Sequence, residues 1–169
     1  MEPDIQDKLR RINFLLLDCD GVLTDGRLYF SEAGEALKVF DVRDGYGLAL
    51  WHKAGFRSGI ISGRKSKIVE NRARELGIEF IWLGREEKVS AFHELVVAAE
   101  VSPEEIAFIA DDTIDLPLFP LVCLAVAVGN AHEDVKAAAH HITKSKGGRG
   151  AVREIIDLLL GAAKDDHIR

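Results

Sequence analysis

Asp18, Asp20, Asp111, Asp112 and Asp115 each follow closely on a short apolar run, and Ser62 closes another such run, with Lys88 shortly after a further one. Three or more carboxylates brought to one point repel each other unless a cation sits among them. With carboxylate oxygens as the donors, the ion such a cluster selects is hard, namely Mg²⁺. A hydroxyl such as Ser62, an ammonium such as Lys88 and backbone amides can hold phosphate oxygens. A carboxylate can attack phosphorus and form an aspartyl-phosphate. A second carboxylate two residues on, as Asp20 is from Asp18, can protonate the leaving oxygen and then activate water. These residue types can together support magnesium-assisted phosphoryl transfer.

Singly, each signal is weak. A lone DxD occurs by chance in many chains, Ser62 suits a helix cap, Lys88 suits a surface, and Asp115 suits a cap before Leu116-Pro117. What carries weight is the order in which the elements supply these groups. Apolar runs at 12–17, 58–61, 78–83, 106–110, 123–128 and, weakly, 140–143 have the length and the Gly, Asp or Ser borders of buried parallel strands. Between them, 65–76, 86–99 and 150–160 show helical spacing, and Ser102 with Glu105 resembles a capping box after Glu100 has ended a helix. Strand-helix alternation predicts an α/β fold, a three-layer Rossmann-like parallel sheet. In such a sheet, ligands bind beyond the carboxyl ends of the strands. The strand ends here are Asp18-Cys19-Asp20-Gly21, Ser62-Gly63-Arg64, the Gly84 to Lys88 turn, and Asp111-Asp112 with Asp115 behind.

Residues 26–41 break the rhythm, with two strand-like runs around Glu32-Ala33-Gly34-Glu35, and read as an inserted β-hairpin. The 169 residues suit a single domain, 1–169, and leave little room for a second. A net charge of −6 argues against nucleic acid and anionic membranes as partners. The charged start, MEPDIQDKLRR, has no apolar signal core, and no run is long enough to span a bilayer, so the cytoplasm is the expected location. Cys19 and Cys123 read as two buried reduced thiols, and Trp51 and Trp82 as packing residues. His140-His141 reads as one buried and one exposed residue, Asp44 as the N-cap of a helix starting at Gly45, and Gly147-Gly148-Arg149-Gly150 as a flexible loop.

The string DCDGVLTDG at 18–26, Ser62 in IISGR, Lys88, and ADDTID at 110–115 resemble the four motifs of the haloacid dehalogenase superfamily of phosphatases. That resemblance implies Asp18 as nucleophile and Asp20 as acid/base, with Asp18, the Asp20 backbone carbonyl and Asp111 on Mg²⁺. It places Asp115 and Asp112 near the metal, Asp112 without a defined role. DVRDGYG (41–47), ISGRKSKIVENRA (61–73) and GGRGAVRE (147–154) further resemble the 3-deoxy-D-manno-octulosonate 8-phosphate phosphatases, over roughly 12–160. The implied enzyme is a phosphoric monoester hydrolase serving lipopolysaccharide sugar synthesis. The resemblance also implies no large cap domain, with the β-hairpin in its place, and a homotetramer joined through the hairpins, with neighbours helping to close each site. Two positions depart from the pattern, Cys19 within the DxD and Ala110 where Gly is usual.

Gly63 and Arg64 are the candidates for the substrate side, and an arginine there can pair with a sugar-acid carboxylate. Arg149 is a weaker candidate for reaching a site. The competing readings are a nonulosonate 9-phosphate phosphatase and a non-catalytic tetramerisation module. A receiver-type signalling domain has a different motif order.

Overall fold

The computed structural model describes residues 3–166. At its centre lies β1 (Phe14–Leu17), four apolar residues with no exposed surface. Strand β1 pairs in parallel with β4 (Arg57–Ser62) on one side and β6 (Ile106–Ala110) on the other. Strands β5 (Phe80–Leu83), β7 (Leu124–Ala127) and β8 (His141–Ile142) complete a six-stranded parallel sheet in the order β5-β4-β1-β6-β7-β8. A strand buried on both faces must be apolar throughout, which is why FLLL reads as a run and not as an alternation.

The chain leaves β1 for one half of the sheet and later crosses to the other, so the carboxyl end of β1 is the switch point where a crevice opens. Leu17 stands in register with Ile60 and with Ile109, so the residues following all three strands emerge side by side.

Helices α1 (Pro3–Arg11), α2 (Val42–Lys53) and α6 (Ala151–Asp166) pack together as one group. A second group joins α4 (Lys88–Ala99), the 3-10 segment Thr113–Leu121 and α5 (Glu133–Ala138). Helix α3 (Lys67–Glu75) contacts β5. Among the described residues, no helix is long and apolar enough to cross a membrane.

The expected hairpin is present as β2 (Tyr29–Ser31) and β3 (Gly34–Leu37), antiparallel and separate from the main sheet. It leaves Leu28, Phe30, Leu37 and Val39 exposed, although a lone two-stranded hairpin has little stability of its own. The capping box around Pro103–Glu105 is formed, and Glu100 closes α4 in the left-handed region at φ 50°.

Several expectations need correction. The strand runs are shorter than the apolar runs at 12–17 and 78–83. Ile12 and Ile78 are buried without belonging to a strand, and the Ile78 amide bonds back to the Ala73 carbonyl at the end of α3. Cys19 is buried, but Cys123 is only half-buried; neither is in a disulfide. Trp51 is fully buried whereas Trp82 is half-exposed, its indole N–H donating to Glu94 at 3.3 Å. His140 is exposed and His141 half-buried, so neither is a core residue. Ala110 ends β6 with an ordinary strand backbone, so the departure from Gly carries no strain.

Asp44 does not cap its own helix. Asp41 does, accepting from the Arg43 amide at 2.8 Å, and α2 begins at Val42. Asp44 lies in the first turn, 2% exposed, and accepts from the amides of Gly150 (3.2 Å) and Arg153 (2.9 Å) at the start of α6. It therefore fastens α2 to the amino end of a helix far along the chain. Removing the carboxylate leaves two buried amides unmet, so Asp44→Ala should cost about 1–2 kcal/mol of unfolding free energy. Urea denaturation measures this, and Asp44→Asn, which keeps one acceptor oxygen, should lose less.

Candidate active site

The turn after β1 is built from its own backbone. The Cys19 carbonyl accepts from the amides of Val22, Leu23 and Thr24, and the Thr24 hydroxyl accepts from Gly21 (3.3 Å) and Gly26 (3.2 Å). Gly21 has φ +93°, and a Cβ there would lie 1.9 Å from an Asp111 carboxylate oxygen, so only glycine lets this turn approach the end of β6. The glycine cluster near the end of the chain closes the same turn from outside. Gly148 donates to the Val22 carbonyl at 2.8 Å, and a Cβ on Gly147 would sit 1.6 Å from the Gly21 carbonyl oxygen. These glycines serve close backbone approach, correcting the expectation of a flexible loop. Arg149 remains exposed, 3.9 Å from Asp25, while its carbonyl accepts from Arg43.

Asp18 follows directly on β1, its amide donating to the Ile109 carbonyl at 3.0 Å. Lys88 is the first residue of α4, whose amino end is capped by Glu87 through the Val89 and Ser90 amides. Its ammonium bridges Asp18 (2.6 Å) and Asp115 (2.5 Å). All three are nearly or wholly buried, at 6% exposure for Asp18, 5% for Lys88 and 0% for Asp115. One carboxylate oxygen each from Asp18, Asp111 and Asp115 lies within 4.8 Å of the others. The second oxygen of Asp115 is buried without a hydrogen-bond partner.

Three carboxylates thus share one ammonium. Burial raises the Asp18 carboxyl above its ordinary range, against the opposing pull of Lys88. Burial and then the charges of Asp18, Asp115 and Asp112 push Asp111 up to about 8. Burial and then Asp18 push Asp115 up to about 7. Burial would lower the Lys88 ammonium, but Asp18 and Asp115 together outweigh it and hold it above its usual value. A cluster this short of positive charge, with an orphaned oxygen and only oxygen donors, fits a hard divalent cation. Asp18, Asp111 and Asp115 are the residues that would hold such an ion.

Asp18, Asp20, Ser62, Gly63, Arg64, Lys88, Asp111 and Asp112 all line one cavity of about 290 Å³. Asp115 lies beneath it, not in its wall. Ser62, 3% exposed, ends β4 and does not act as a cap; Ser66 caps α3. Asp112 is exposed and caps the 3-10 segment through the Thr113 amide at 2.7 Å, which accounts for it without the ion. A larger cavity, about 690 Å³, sits at the opposite ends of the strands near Lys8 and Cys123, without this cluster. Volume is therefore a poor guide to where the chemistry lies.

The hairpin supplies what sequence reasoning missed. Lys38, just past β3, donates to Asp20 and pairs with Glu35 at 3.1 Å. Glu35 in turn accepts from Ser66. Arg64 stands 3.7 Å from the other Asp20 oxygen, with its guanidinium over the Phe30 ring at 5.8 Å. The available signal was a lysine three residues after a glutamate at the foot of the hairpin.

The haloacid dehalogenase-like hydrolase family matches residues 81–156. The 3-deoxy-D-manno-octulosonate 8-phosphate phosphatase of Escherichia coli strain K12 is 45% identical over 160 residues, covering 95% of this chain and 85% of that one. The crystal structure of the Yersinia pestis phosphatase of the same name superposes with a TM-score of 0.94 at 43% identity, over 97% of this chain and 89% of that one. That of Moraxella catarrhalis, in complex with a magnesium ion, a phosphate ion and a KDO molecule, gives 0.92 at 35% identity, over 99% and 98%. With identity of this level along almost the whole length and the same fold, the chain belongs to the 3-deoxy-D-manno-octulosonate 8-phosphate phosphatase family of haloacid dehalogenase-like hydrolases.

Proposed function

We propose that this protein is a Mg²⁺-dependent phosphomonoesterase that hydrolyses 3-deoxy-D-manno-octulosonate 8-phosphate through an aspartyl-phosphate on Asp18. The observation that carries the mechanism is the buried Asp18–Lys88–Asp115 bridge beside Asp111 at the switch point of the sheet. The sugar acid is the one named for the relatives, and this chain carries Arg64 at the cavity wall, where a guanidinium can pair with a carboxylate.

In the first step an Asp18 oxygen attacks phosphorus, the bond from phosphorus to the sugar oxygen breaks, and Asp20 gives that oxygen a proton. In the second, Asp20 takes a proton from water, which attacks the aspartyl-phosphate and restores Asp18. The Lys88 ammonium and the Ser62 hydroxyl hold the transferring oxygens, and the low exposure of Asp18 keeps competing water away. Bound Mg²⁺ would offset phosphoryl charge at Asp18 and Asp111. The exposed apolar residues of the hairpin are the contact we assign to a homotetramer, and the enzyme acts in the cytoplasm, supplying sugar for lipopolysaccharide.

Phosphate release from a panel of sugar phosphates tests this reading. The eight-carbon acid should be preferred over a nonulosonate 9-phosphate, and EDTA should stop release until Mg²⁺ is returned. Reversed preference would refute the substrate, and undiminished release in chelator would refute the metal. Asp18→Asn should lower turnover by about 10⁴-fold or more with an unchanged circular dichroism spectrum. Light scattering should give a mass near four chains; a fully active monomer would remove the tetramer from the account.

A further inference from the structure

The Lys38 side chain is 1% exposed, although it stands at the foot of a hairpin whose apolar residues mostly face outward. Burying an ammonium is costly unless it is paired. Here the pairing runs through two carboxylates. Lys38 donates to one oxygen of Asp20 and lies 3.1 Å from Glu35. Glu35 is held by the Ser66 hydroxyl, and Ser66 is itself fixed as the cap of α3, accepting from the Val69 amide at 3.2 Å. The chain of contacts therefore runs from a helix of the main sheet, through the hairpin, to a carboxylate at the mouth of the site.

Asp20 has no comparable support from its own turn. It follows a strand end on a loop, and its side chain is 20% exposed. A carboxylate in that position has two free torsions and can face the cavity or turn away from it. The Lys38 contact takes up one oxygen. Arg64, 3.7 Å from the other, stands on the cavity side. The hairpin thus leaves one Asp20 oxygen committed and the second on the side of Arg64, with which Asp20 lines the cavity.

We infer that Lys38 is a positioning residue, which fixes the Asp20 carboxylate from the hairpin so that its second oxygen meets the leaving-group oxygen. This rests on the reading of Asp20 as the acid that protonates that oxygen. It differs from a purely structural role, in which Lys38 would only stitch the hairpin to the core. A stitch affects stability and all substrates alike. A positioning contact affects substrates according to how badly their leaving oxygen needs a proton.

The discriminating measurement is kcat/KM of the full-length protein with Mg²⁺ over a series of small phosphate esters, from p-nitrophenyl phosphate to alkyl phosphates. This quantity reports the step in which the leaving group departs. Lys38→Gln should lose about 10- to 100-fold more on the alkyl esters than on p-nitrophenyl phosphate, a fraction of what a general acid supplies. Lys38→Arg, which retains the donor, should recover most of the difference. Asp20→Asn should steepen the same dependence, and adding Lys38→Gln to it should change the dependence no further. Equal losses on all esters in Lys38→Gln, with Asp20→Asn steepening the dependence, would overturn the role of Lys38 and leave Asp20 as the acid. No steepening in Asp20→Asn would overturn the acid assignment and this inference with it. Should Lys38→Gln fold poorly, Lys38→Met compared with Lys38→Arg gives the same contrast.

Discussion

The Lys88 ammonium, shared between Asp18 and Asp115, holds together a cluster that would otherwise repel itself. At these burials a carboxylate without a counter-charge is strongly disfavoured, and Asp111 has no ammonium of its own. The rest of the architecture answers to that electrostatic demand. Strand β1 must end where β6 ends so that Asp18 and Asp111 meet, and α4 must begin at Lys88 so that the cation arrives from a capped helix start. The residual imbalance is what makes the site receptive. A pocket already neutral would have no reason to take up a divalent ion or a charged ester.

Around this centre the molecule divides its labour. The sheet sets Asp18 and Asp111 at the ends of two paired strands, which leaves their backbones little freedom. The Asp20 carboxylate, in contrast, is met by side chains from an appended hairpin and from the loop after β4. In the proposed mechanism Asp18 must stay still while Asp20 exchanges protons with different partners in successive steps. Support of different stiffness suits those two tasks.

The parallel sheet and the strand-end carboxylates were readable because continuous apolar runs stop abruptly at polar residues, as at Leu17-Asp18 and Ala110-Asp111. What was not readable depends on contacts between distant segments. Asp44 is a sound local cap by composition, yet its acceptors are spent on amides 106 and 109 residues away. Glycine clusters have two opposite uses, freedom and close approach, and only the Gly21 carbonyl lying against Gly147 decides between them. Ile78 was counted into a strand because burial and strand pairing look alike in a hydropathy pattern, while its amide closes a helix. Lys38 escaped notice because a lysine's value here comes from where the hairpin docks.

The seating of Gly147 and Gly148 on the turn after Asp18 has a consequence for how the enzyme comes into being. The turn after Asp18 is braced by residues far along the chain from it, and α6, which follows them, is anchored in turn by Asp44. Contacts of such wide sequence separation carry a loop-closure cost and form late. During synthesis on the ribosome the central strands can pair well before the brace exists. Asp18 therefore emerges well before the residues that brace its turn, and that turn is completed only once Gly147 and Gly148 have been made.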